Sequence, residues 1–89
     1  MNKFTKYRLA GRLDTTISAK LLYILLLDIV DDEGKIVIPQ KFIGASLGIS
    51  QGTVSRNMHR LQDVGAIAIE PTFNECRGRM PNRYKVLGG

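Results

Sequence analysis

The stretch LGISQGTVSRNMHRLQDVGAI, Leu47 to Ile67, constrains the fold of this chain more than any other. Gly48 stands between two apolar segments, where a residue without a Cβ takes a positive φ at little cost, so a helix is expected to end there. Ser50 suits the N-cap of a second helix, and the small or polar residues Gln51, Gly52 and Thr53 then form its first turn. Val54, Met58 and Leu61 recur at i, i+4 and i+7, which gives the helix over 50–64 one apolar face. Gln51, Thr53, Arg56, Asn57 and Arg60 are expected off that face, and Gly65 ends the helix. Two helices joined by a tight turn are thus predicted, the second with a polar side rich in hydrogen-bonding groups.

A helix that is slim at its N-terminus and carries Arg, Asn and Gln has the shape and chemistry needed to enter a DNA major groove, because bulky residues at its front would hold the backbone away from the base edges. An ordinary amphipathic surface helix has the same periodicity, so the flanking chain has to decide. The chain has 89 residues, 44% of them hydrophobic, enough for one small domain with a single core. The apolar run Leu21 to Leu27 is too short for a bilayer, which needs about 20 residues, and no signal-peptide pattern opens the chain. A soluble cytoplasmic protein is therefore expected. Cys76 is the one cysteine, with no Cys or His cluster about it, so neither an internal disulfide nor a metal site is expected.

The net charge is +5, and its distribution says more than its total. Residues 1–40 carry six Lys/Arg against five Asp/Glu, whereas residues 41–89 carry seven against three. The excess lies with the second helix and the chain that follows it.

Residues 1–17 interleave Lys3, Lys6, Arg8 and Arg12 with Phe4, Tyr7, Leu9 and Leu13, which leaves open an arm along DNA, a short strand, or an element packed on a partner subunit. Thr16 or Ser18 is the expected N-cap of a helix running to about Asp31, closed by Gly34. From Leu21 to Val30 only Asp28 is polar, so this helix needs burial on more than one side. It is expected to be the central core helix, with Leu21 and Leu25 as the seam of a homodimer. Asp31, Asp32 and Glu33 read as a solvated turn, not a cation site. Lys35 to Ile38 is a short β-branched run, and Pro39 opens a helix over QKFIGASLG with Phe42, Ile43 and Leu47 turned inward. After Gly65, residues 66–70 alternate as a strand that Pro71 is expected to break. A basic loop over 72–82 then leads to a strand over 83–87.

In this order of elements, LGISQGTVSRNMHRLQDVGAI and the closing RGRMPNRYKV resemble segments of the winged helix-turn-helix family of DNA-binding domains, including small bacterial, phage and plasmid regulators and the DNA-binding parts of plasmid replication initiators. The resemblance covers about Ser18 to Leu87. It implies an α+β fold: a three-helix core, a small antiparallel sheet and a β-hairpin wing, in one domain over 18–87 with an N-terminal segment 1–17 and a tail 88–89. It also implies a sequence-specific binder of double-stranded DNA, a transcriptional regulator acting as a homodimer, with helix 50–64 in the major groove and the wing on flanking DNA.

By that resemblance Ser50, Gln51, Thr53, Arg56, Asn57 and Arg60 are the contacts of the recognition helix, and Arg77, Arg79 and Arg83 those of the wing. Arg56 suits guanine, Asn57 or Gln51 suits adenine, and Ser50 and Thr53 suit phosphates. Gly44 departs from the family pattern, which usually has Ala there. Two alternatives remain open: DNA binding in replication, partition or excision of a mobile element, and a module of the same fold that binds protein through its apolar first helix. His59 is expected on the surface beside DNA, and Cys76 as an exposed thiol in the wing. No catalytic constellation, cofactor motif or metal-ligand spacing is present, so no enzyme is expected.

Overall fold

The structure, a computed structural model, describes residues 4–74 and 78–87, with side chains described outside 71–82. The described residues form four helices and one three-stranded antiparallel sheet, in the order α1 (Thr5–Gly11), α2 (Ile17–Ile29), β1 (Lys35–Ile36), α3 (Gln40–Leu47), α4 (Gln51–Asp63), β2 (Ile67–Asn74) and β3 (Gly78–Val86). The sheet order is β1-β3-β2, so the last strand lies between the first two.

The N-terminal segment, for which the sequence left three roles open, is a helix docked on α2. Ala10 is buried there, and the Lys6 ammonium donates to Asp28 Oδ1 at 2.7 Å, a bond that raises the Lys6 pKa. Thr16 caps α2 by accepting from the Ala19 amide at 3.2 Å. Ala19, Leu22, Tyr23 and Leu26 form its buried face, while Ile24, Leu25 and Leu27 are partly covered. With α1 on one flank and α4 on the core side, most of the apolar circumference is covered within the chain. Leu21 remains 52% exposed and Ile17 85%.

The turn after α2 is held by the Asp31 carboxylate, whose Oδ1 accepts from the amides of Glu33 (2.9 Å) and Lys35 (2.8 Å), with Gly34 at φ 79°. β1 is shorter than the β-branched run predicts: Ile36 pairs with Tyr84 and is buried, but Val37 already lies outside the ladder and exposed. The chain must leave the sheet there to enter α3 at Pro39, whose carbonyl accepts from the Phe42 amide. Along α3, Ile43 and Gly44 are buried and Leu47 is half-buried, but Phe42 is 58% exposed, contrary to the expected inward placement. Ile43, Gly44 and Leu47 span one side of the helix, and at 100° per residue Phe42 falls outside that arc.

Gly48 adopts φ 70°, and the Gly44 carbonyl accepts from both the Gly48 and Ile49 amides, which closes α3 with a left-handed cap. The same device closes α4: Gly65 has φ 77°, and the Ala66 amide donates to the Leu61 carbonyl. Val54, Met58 and Leu61 of α4 are fully buried in one cluster with Leu22, Leu26, Ile43, Ile67 and Tyr84.

Pro71 does not end β2. The strand runs through it to Asn74, with a register irregularity between Glu70 and Thr72, and β3 starts at Gly78. Most of the expected loop 72–82 is therefore ladder. β2 is an edge strand, where a residue without an N–H is tolerated, and a bulge relieves the pairing that Pro cannot make.

Candidate nucleic-acid interface

The candidate interface is built on α4. Ser50 caps it, its Oγ accepting from the Thr53 amide at 3.1 Å and lying 2.9 Å from the Thr53 hydroxyl. Gly52 follows on the outer side, where an added Cβ would meet nothing closer than Ser50 Oγ at 4.0 Å. Stepping 100° per residue from the buried stripe places Gly52, Arg56, His59 and Asp63, at i, i+4, i+7 and i+11, along the line farthest from the core. All four are exposed.

The polar side chains of α4 divide into those engaged within the protein and those free of it. Ser50 and Thr53 bond each other. Asn57 is 1% exposed and sits inside the buried stripe with Val54, Met58 and Leu61, its Oδ1 accepting from Arg60 Nη1 at 3.1 Å. The expected contact of Asn57 with a base is therefore corrected: burial and the bond from Arg60 take this amide away from the surface. Gln62 reaches across to the sheet, its Oε1 accepting from the Ile69 amide at 2.9 Å. Gln51, Arg56 and His59 are exposed, and none of them bonds to another described residue.

Arg60 stands apart from that line. Its side chain borders a cleft of about 350 Å³ between the end of α4 and the link from α1 to α2, lined also by Asp14, Thr15, Thr16, Asp63 and Val64. Two carboxylates beside the guanidinium make this cleft a poor place for a phosphate.

In the hairpin, Arg83 is exposed and lies opposite Glu70, and Lys85 is exposed beside it, opposite Ala68 and Lys35 on its two neighbouring strands. Arg79 falls in β3 opposite Phe73, which sets its backbone in the distal ladder, while Arg77 and Cys76 lie outside the described residues. Leu21 is half-exposed on α2 and Leu25 is partly buried against the core, so the two do not form one open seam. Among the described residues no helix is long and apolar enough to cross a membrane. No family model, curated protein or solved structure matches the chain.

Proposed function

We propose that this chain is a sequence-specific double-stranded-DNA-binding protein of winged-helix form, a cytoplasmic transcriptional regulator, with the front of α4 in the major groove and the β2–β3 hairpin on flanking DNA. The observation that carries this reading is that Arg56 and His59 on the outermost line of α4, and Gln51 in its first turn, are exposed with side chains bonded to no other described residue, while Ser50, Thr53, Asn57, Arg60 and Gln62 are hydrogen-bonded within the protein. Exposed side chains carried on a rigid helix are available to a partner. Gly52 keeps the front of the helix slim, so its backbone can approach base edges closely. Arg56 then supplies the bidentate donor that guanine O6 and N7 accept, and Gln51 the amide that suits adenine.

The order α2, β1, α3, α4, β2, β3 with strand order β1-β3-β2 supports the winged-helix form. The charge excess of residues 41–89 supports a polyanionic partner. Exposed Ile17 and Leu21 favour a contact between two copies through α2, which would set the spacing of two half-sites. That same apolar pair is what favours the second reading, a module that binds another protein through α2 with the basic hairpin incidental.

Fluorescence polarisation of labelled duplexes, titrated over a range of salt concentrations, tests the proposal. The logarithm of affinity should fall against the logarithm of salt with a slope of about −3 or steeper, as three or more phosphate contacts release counterions. Arg56→Ala should remove discrimination between duplex sequences. Arg79→Ala should weaken all sequences alike and make the slope shallower by about 1. A flat salt response, or unaltered discrimination in Arg56→Ala, contradicts the proposal.

A further inference from the structure

Resting on the DNA-binding reading above, we infer that His59 is a base-reading residue: with Arg56 it reads neighbouring base pairs. The helix geometry sets this role. His59 lies one turn after Arg56 on the outermost line of α4, exposed and bonded to no other described residue. The two residues that a polar inventory of the helix would place ahead of it, Asn57 and Arg60, are bonded to each other, the first buried and the second turned to the Asp14–Asp63 cleft. Beyond His59 the line ends in Asp63, whose carboxylate opposes a phosphate backbone. Close contact with DNA therefore stops at His59, which makes it the last reading position and not a bystander.

The chemistry follows from the groove. Guanine presents two acceptors there, O6 and N7, and a ring N–H of the imidazole can donate to either. The charged groups that share its helix side are Arg56 one turn before and Asp63 one turn after. Arg60 is adjacent in sequence but bonded to Asn57. β2, which meets α4 through the Gln62–Ile69 bond, contributes the exposed Glu70.

The test uses the whole chain, a duplex chosen by it from a random-sequence library, every single-base-pair variant of that duplex, and an unselected random duplex. His59→Ala should lose about tenfold in affinity for the chosen duplex, with the loss confined to one or two adjacent base pairs and with binding to the random duplex unchanged. His59→Gln, which keeps a side-chain donor, should retain part of the preference. Because the side chain is exposed and bonds no described residue, both variants should fold as the parent does. A loss spread equally over all duplexes overturns the inference, and so does an unchanged His59→Ala beside a weakened Arg56→Ala, which leaves the DNA-binding reading standing. Failure of the parent chain to select any sequence overturns both.

Discussion

Gly44 is where the two helices of the central stretch touch most closely. A Cβ placed there would sit 2.7 Å from the Ile49 carbonyl oxygen and 3.3 Å from Val54 Cγ2. The first neighbour is backbone and cannot rotate away, so Gly44→Ala should destabilise the protein by about 1 to 3 kcal/mol, as overpacking does, despite the roughly 1 kcal/mol that Ala gains in helix propensity. Chemical denaturation followed by circular dichroism checks this; an unchanged or raised midpoint would mean that the turn is looser than the structure has it. The family pattern puts Ala at this position and propensity favours it, so both give the opposite sign, because the Ile49 carbonyl enters only once the turn is built. Asn57 teaches the complementary lesson. Residue type puts it among the polar contacts, whereas its position, three after Val54 and four before Leu61, puts it inside the apolar stripe, and position wins.

Among the elements, the edge strand β2 is the most exposed to unwanted pairing, and α4 protects it. The Gln62 side chain accepts from the Ile69 amide on the side of β2 away from β3, and Pro71 removes the N–H two positions on. Gln62→Ala should cost about 0.5 to 1.5 kcal/mol of stability, and should raise the hydrogen-exchange rate at the Ile69 amide above its neighbours. Equal exchange in parent and variant would show that the bond does not protect the edge. The helices were legible because caps and glycines punctuate them: Thr16, Ser50, Gly48 and Gly65 fall where the sequence places them. The hairpin was less so. Pro71 reads as a breaker in isolation, and only the strand order, which leaves β2 at an edge with a bulge, lets the ladder pass through it. The helical form of Thr5–Gly11 was illegible for a related reason: its stability comes from docking Ala10 and Lys6 on α2, a contact that the short segment itself does not encode.

At the scale of the molecule, two surfaces compete for a partner. One is the free polar line of α4 with the basic hairpin; the other is the apolar patch of Ile17 and Leu21 on α2. Under the proposed reading, DNA takes the first surface and a second copy of the chain the second. The decisive measurement is amide chemical-shift mapping of the isotope-labelled chain titrated with a duplex that it has selected. Shifts should concentrate on Ser50 to His59 and on the β2–β3 hairpin, and spare the amides of Asp14 to Thr16 beside Arg60. Shifts confined to Ile17 to Leu25, or spread evenly without saturation, would contradict the placement of DNA on α4.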